Sequence, residues 1–196
     1  MTAATEATTE APPEPDQPPV REKPSATRSL VEWVGILVAA LLVAFVVKTF
    51  LIQAFFIPSP SMVPTLEVHD RVLVNKLSYK LHDVNRGDVV VFERPPNDTG
   101  AIKDLIKRVV AVEGDTIESR GDTLYVNDQP VKEPYVKTSS MGNAVTRRTI
   151  APNQVFVMGD NRTNSSDSRV FGPIDEDRIV GRAFVKIWPL GSLRFL

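Results

Sequence analysis

Apolar positions along this chain fall into two regimes that meet near residue 57. From Val34 to Val47 no charge interrupts the run; Lys48 breaks it once, and Thr49 to Ile57 is apolar again except for Gln53. A helix needs about 20 predominantly apolar residues to cross a bilayer core. Leu30 to Ile52 reaches that length if Glu32 lies at one interface and Lys48 snorkels to the other. The pattern predicts a transmembrane helix over residues 30–54. A secretory signal peptide competes, but the run begins late, exceeds a typical h-region and lacks a clear small-x-small exit. A buried helix of a soluble domain is a third reading.

Beyond residue 66 the period changes to two. Arg71–Val74, Asp88–Phe92, Leu105–Val112, Asp122–Val126, Gln154–Met158 and Ile179-Val180 through Phe184–Trp188 read as short, β-branched strands. Arg86-Gly87-Asp88, Pro95-Pro96-Asn97-Asp98, Glu113-Gly114-Asp115, Arg120-Gly121-Asp122 and Asn127-Asp128 punctuate them as turns. No helical period follows residue 66. Strands spaced this way, without crossover helices, predict a mostly β domain over residues 55–196, built as an antiparallel β-barrel or folded sheet. The C-terminal Trp188-Pro189-Leu190 and Phe195-Leu196 read either as the end of the β core or as a segment that dips into a membrane interface.

Residues 1–29 belong to neither regime. They are rich in Ala, Thr, Glu and Pro and contain no aromatic residue. Such a segment cannot bury enough apolar surface to offset its ordering entropy, which predicts a disordered tail. Arg21, Lys23 and Arg28 stand before the apolar run, and only Lys48 follows at once. The positive-inside rule then puts the tail in the cytoplasm and the β domain on the far side of the cell membrane, in a single pass.

Charge narrows the function classes. With 23 basic and 24 acidic residues and a net charge of −1, there is no electrostatic case for nucleic acid. Cysteine is absent, which removes disulfides and thiolate metal sites. The two histidines, His69 and His82, sit in polar turns without metal-ligand spacing to other candidates, so a Ser–His–Asp triad is poorly supported.

Where the two regimes meet lies Ile57-Pro58-Ser59-Pro60-Ser61-Met62-Val63-Pro64-Thr65-Leu66. Its prolines fix φ and remove donors, so neither helix nor central strand continues through it. What remains is a stiff segment holding Ser59 and Ser61 on one side, flanked by apolar residues that a flexible linker would lack. It reads as a nucleophile mount or as a proline-rich linker. A serine needs a base, and without histidine the candidate is a lysine kept neutral by burial. Lys107 lies mid-strand between apolar neighbours on both faces, where lost hydration would lower its pKa to about 7–8. The alternative is an edge strand whose Lys107 and Arg108 face water to block edge pairing. A third stretch, Gly159-Asp160-Asn161-Arg162 through Ser165 and Asp167-Ser168-Arg169, is a dense polar loop entered from an apolar strand. Asp160, Arg162, Asp167 and Arg169 are suited to ion pairs that pin its shape, and its serines to orienting an amine.

Together these stretches resemble the boxes of type I signal peptidase (leader peptidase), bacterial and single-span. The serine segment is similar to that family's I-P-S-x-S-M-x-P-T-L box, and Asp70 to Lys76 to the box after it. Arg86 to Phe92 with Ile106 to Val110 resembles the lysine box, and residues 159–169 resemble G-D-N-R-x-N-S-x-D-S-R. Thr163 stands where many members carry Asp. The resemblance implies a Ser/Lys endopeptidase that removes signal peptides from exported preproteins after a small-x-small motif, through an acyl-enzyme. It implies Ser61 as nucleophile, Lys107 as base, Ser59 as an oxyanion donor with the Ser61 N–H, and Ser165 as a partner that directs the amine. Asp160, Arg162, Asp167 and Arg169 would hold the loop, and Phe55, Ile57, Met62, Leu66, Leu105 and Ile106 would wall the substrate pockets. A small variable lobe is expected at about 121–149, with no metal and no cofactor. The lipid bilayer and a nearby secretion translocon are the implied surroundings. The rival from another class is a non-catalytic, membrane-tethered β module that binds extracytoplasmic peptides; a Ser/Lys autoprotease of the repressor type is a closer one.

Overall fold

The computed structural model describes residues 26–47, 51–137 and 140–196. The expected tail lies outside the described residues up to position 25, as does Lys48. The chain divides into two units near residue 41, each described by itself.

The first unit is one helix, α1 (Ala26–Val46, 21 residues), which the chain enters fully apolar from Val34 onward. Its large side chains, Leu37, Leu41 and Phe45 among them, are exposed. Among the described residues no helix is long and apolar enough to cross a membrane. The helix also stops short of the expected boundary at 54, because Ile52–Phe56 is a strand. That strand, β1, pairs in antiparallel register with β2 (Arg71–Asn75). A waiting sheet neighbour overrides what the apolar run by itself cannot distinguish from helix.

The second unit is mostly β and antiparallel. After β1 and β2 come β3 (Val89–Glu93), β4 (Asp104–Ala111), β5 (Thr116–Arg120), β6 (Thr123–Val126), β7 (Gln129–Pro130) and β8 (Arg148–Thr149). These are followed by β9 (Gln154–Met158), β10 (Ile174–Asp175), β11 (Ile179–Trp188) and β12 (Arg194–Phe195). Two single-turn helices, α2 (Ser78–Leu81) and α3 (Ser168–Phe171), are too short to leave a periodic trace in the sequence. The main sheet runs β1-β2-β11-β3-β4-β9-β10 with β12 on β11, and a second sheet runs β7-β6-β5-β8. The main sheet is open, ending in β1 and β10 among the described residues, so of the two expected forms it is the folded sheet. The second sheet, with the loops to residue 149, is the small lobe, and it begins at Thr116 rather than 121.

The run Val89-Val90-Val91-Phe92 has no polar alternation because both of its faces are buried. Val89 and Val91 join Ile106, Ile57, Met62 and Leu66 in one core. Val90 and Phe92 join Val109, Val155 and Val157 in another. A third core, around Phe156, Ile117 and Leu124, packs the lobe. Bulges interrupt the pairing of β11 with β2 and with β3. Trp188, Leu190 and Phe195 are exposed, so the reading of the C-terminus as core does not hold for them.

Gly181 sits where β11 crosses β2, and a Cβ there would fall far inside the contact radius of the Asn75 carbonyl oxygen. Backbone on the other side cannot give way as a flexible side chain could. Gly181→Ala should therefore cost about 1–3 kcal/mol, read as a lowered thermal unfolding midpoint; an unchanged midpoint would show that β2 and β11 can slide apart freely.

Candidate active site

The serine segment folds as its prolines dictate. Ser59 is extended, with φ −134 and ψ 156, and Pro60 at the first helical position starts a single 3-10 turn over Pro60–Met62. Val63 N donates to Pro60 O at 3.1 Å, and Leu66 N to Met62 O at 2.8 Å. Met62 and Leu66 are fully buried and root the turn in the core. Neither is among the residues that line the cleft beside Lys107. At the base of the loop, Asp70 accepts Glu67 N at 2.8 Å and pairs with buried Lys186 at 2.6 Å.

Lys107 arrives from β4. That strand pairs with β3 over Asp104–Arg108, whereas β9 meets it only from Arg108 onward. Lys107 itself is 3% exposed, so it does not face water as an edge guard. Its Nζ donates to Ser61 Oγ at 2.8 Å and to the carbonyl of Ile106 at 3.0 Å. Burial lowers its pKa to about 8, against the pull of Asp167, the largest of the charges holding it up. No carboxylate bonds to the amine. Ser59 Oγ lies 3.4 Å from Ser61 Oγ, a long contact. The Ser165 hydroxyl is buried and makes no hydrogen bond, to the amine or to any other group, among the described residues.

The polar loop holds the serine turn from behind. Asn161 N donates to Ser61 O at 3.0 Å, and Asn161 Nδ2 to Pro60 O at 3.1 Å. Gly159 permits this approach, since a Cβ there would come within 2.5 Å of Ser61 O and would overlap the Ser165 hydroxyl. Asp167 caps α3, accepts Gly159 N at 2.9 Å and pairs with Arg169 at 2.7 Å, while Arg169 donates to Met141 O. Asp160 and Arg162, adjacent but for one residue, do not pair with each other. Asp160 takes both prongs of Arg108, at 2.9 and 2.7 Å, and accepts the Thr65 hydroxyl at 2.5 Å. Arg162 is held by both oxygens of Glu133, at 2.6 and 2.5 Å. Arg108 was readable as a neighbour of the lysine; nothing in the spacing of Glu133 pointed to the loop.

Beside Ser59 and Lys107 is a narrow cleft of about 30 Å³. Phe55, Ile57, Ser59, Leu105 and Ile106 line it, with Lys107 at its end. Among the described residues β9 does not pair with β4 along residues 104–107, which leaves that side of the strand open except for the Ile106 carbonyl, which Lys107 Nζ engages. Among the described residues no group of His, Asp and Glu side chains has the arrangement to hold a metal ion. The arrangement provides a desolvated amine on a hydroxyl at hydrogen-bond distance, which is what proton abstraction from a serine requires.

Residues 30–188 match the family described as "Signal peptidase, peptidase S26". The chain is 36% identical over 185 residues to signal peptidase IB of Staphylococcus aureus (strain MRSA252), a match that covers 86% of this chain and 94% of that protein. It is 35% identical over 192 residues to signal peptidase I of Leptolyngbya laminosa, with 92% of each chain covered. A crystal structure of a signal peptidase I from Enterococcus faecalis V583 matches with a TM-score of 0.44 at 28% identity, over 52% of this chain and 97% of that one.

Asp160 is 1% exposed and is the counter-charge of a buried guanidinium. Asp160→Asn strands Arg108 without it and should destabilise the fold by about 3–5 kcal/mol. Denaturant titration of the variant checks this; a midpoint equal to that of the parent would mean that Arg108 finds solvent or another acceptor.

Proposed function

The chain belongs to the signal peptidase family, peptidase S26, and from that membership we propose that it is a membrane-bound serine endopeptidase that removes N-terminal signal peptides from exported preproteins. The observation that carries the reading is the 2.8 Å contact between Lys107 Nζ and Ser61 Oγ inside a buried site. A peptide-binding module has no use for such a pair.

In this reading the substrate lies extended in the cleft and adds as a strand to the free side of β4 at residues 104–107. The narrowness of the cleft beside Ser59 and Lys107 supports cleavage after a small-x-small motif. The neutral Lys107 amine takes the Ser61 proton, and Ser61 Oγ attacks the carbonyl that follows the small residue. The oxyanion is received by the Ser61 N–H with the Ser59 hydroxyl, which needs only to rotate from its neighbour. Lys107 then returns its proton to the leaving amine. The acyl-enzyme is released by water that Lys107 deprotonates in turn. A neutral amine has two N–H donors; the Ile106 carbonyl occupies one, and the buried, unpaired Ser165 hydroxyl is the group we assign to the other. Asp160, Arg162, Asp167 and Arg169 keep the loop against the turn.

The apolar character of α1 supports an anchor in the cell membrane, with the N-terminus cytoplasmic and the β domain outside it. An anchor ending a short way before Ser61 confines the nucleophile to the surface where signal peptides emerge from the translocon, raising its effective concentration there. The exposed Trp188, Leu190 and Phe195 are suited to touching the same lipid surface.

Ser61→Ala is expected to abolish preprotein processing in detergent micelles; undiminished cleavage by that variant would refute the assignment. Lys107→Arg should be equally inactive while still folded, because a guanidinium does not give up its proton. The pH dependence follows in sign from the lysine. Its charged form is inactive, so with a pKa of about 8 the rate should fall tenfold for each unit of acidification below that value and level off above it. A limb centred near 6.5, the ordinary histidine value, would remove Lys107 from the role of base.

A further inference from the structure

The charged groups behind the serine close into a ring, and two of its members come from the small lobe. Arg108 is the hub. Beyond its two bonds to Asp160, it donates to the Gly87 carbonyl at 2.9 Å, and its guanidinium lies 4.0 Å from the centre of the Tyr135 ring. Tyr135 donates its hydroxyl to Glu133 at 3.0 Å. Burial raises the Tyr135 pKa, with the Glu133 charge adding to it, so that hydroxyl stays a donor. Glu133 grips Arg162 with both oxygens, and Arg162 Nε donates to Gly159 O at 3.1 Å. Gly159 is the residue whose missing side chain lets the loop meet Ser61 O. The circuit thus leaves the active site at the lysine strand and returns to it at the serine turn.

We infer that Tyr135 and Glu133 are positioning residues for the Ser61–Lys107 pair, acting through Arg108 and Arg162. The catalytic consequence rests on the proteolytic reading above; the packing consequence does not. Lys107 and Arg108 are consecutive, so their side chains share one stretch of backbone, and whatever immobilises the guanidinium sets the direction from which the amine leaves β4. On the far side of Arg108 is a cleft of about 510 Å³, lined also by Pro64, Lys137 and Arg194. Arg108 and Tyr135 both line that space, and the Tyr135 ring covers one face of the guanidinium. A cation over an aromatic face is stabilised without the ring taking up a hydrogen bond. Removing the ring opens the Arg108–Asp160 pair to water, and a pair in higher dielectric holds less firmly. Thr65, four residues after the nucleophile and bonded to the same carboxylate, loosens with it.

The test compares Tyr135→Phe with Tyr135→Leu in the full-length chain in detergent. Phe keeps the ring and loses only the hydroxyl; Leu removes the aromatic face. Position 135 is half-buried. For Tyr135→Leu, kcat on a preprotein should fall about tenfold or more, with KM little changed, as expected for a misplaced reacting pair. Tyr135→Phe, which keeps the ring over Arg108 and loses only the bond to Glu133, should lose clearly less kcat than Tyr135→Leu. In parallel, the Lys107 amine is titrated by NMR on chain carrying carbon-13 lysine. In the Leu variant its pKa should rise from about 8 towards the ordinary lysine range, because added water relieves the desolvation that lowers it. The charges it feels, Asp167, Arg94, Asp98 and Asp160, stay in place in both variants. A purely structural contribution would lower the unfolding midpoint without moving that titration. The inference is overturned if the Leu variant matches the parent in kcat and in the titration, or if Phe is impaired as much as Leu. If the parent itself cleaves no preprotein, the proteolytic reading falls, and the titration alone decides: a rise in Leu but not Phe upholds the clamp, and no rise removes it.

Discussion

The domain is tied together at one buried ion pair. Arg108 belongs to β4, Asp160 to the loop after β9, and Thr65, which shares the carboxylate, to the turn after the serine. Three segments far apart in sequence are thereby fixed at one point. Desolvating two charges is expensive, and a pair in this setting is tolerated only when its geometry is good and its remaining donors are satisfied. Here the guanidinium is two-pronged on the carboxylate, and a third nitrogen reaches the Gly87 carbonyl. The sheet, the catalytic turn and the polar loop therefore depend on the same contact, and none of them would hold its place if the others moved.

The neighbour of that guanidinium meets the same burial in the opposite way. Lys107 and Arg108 are consecutive cations, both nearly inaccessible to solvent. Arg108 keeps its charge because it cannot lose it and has a carboxylate to answer it. Lys107 has a hydroxyl and a carbonyl and no acid, so burial drives it towards the neutral form. Placing two cations side by side and giving only one of them a carboxylate partner separates an ordinary pair of basic residues into a structural post and a desolvated amine. That division of labour is electrostatic, and it follows from which partners each side chain was dealt.

Most of the main sheet was legible because alternation and turn residues are local. The strands around Val72, Val91, Val109, Val157 and Val185 stand where the period of two put them. Ile52–Phe56 was not legible, since an apolar run bears no mark of whether its backbone bonds go inward or to a neighbour. At the site, Ser61 and Lys107 stood out by their settings, a proline-locked turn and an apolar strand. Met62 and Leu66 share the motif yet lie under it, because a turn of that tightness needs an apolar root and the sequence does not say which flank supplies it. Each of the four charged loop residues takes part in an ion pair, but the sequence did not say with which partner. Asp167 does hold Arg169, but Asp160 and Arg162 reach outward to Arg108 and Glu133. Tertiary partners of this kind, separated by tens of residues, leave no periodicity and no spacing to read.

The unpaired side of β4 at residues 104–107 has a consequence for what the molecule can meet. In the proposed reading its open backbone groups, the Ile106 carbonyl excepted, would take only a strip of main chain whose own hydrogen bonds are unspent. In a finished globular protein nearly all such groups are already committed to helices and sheets. Discrimination between a dangling leader and the compact cargo behind it can thus begin before any side chain is inspected, and the cargo is spared by being folded.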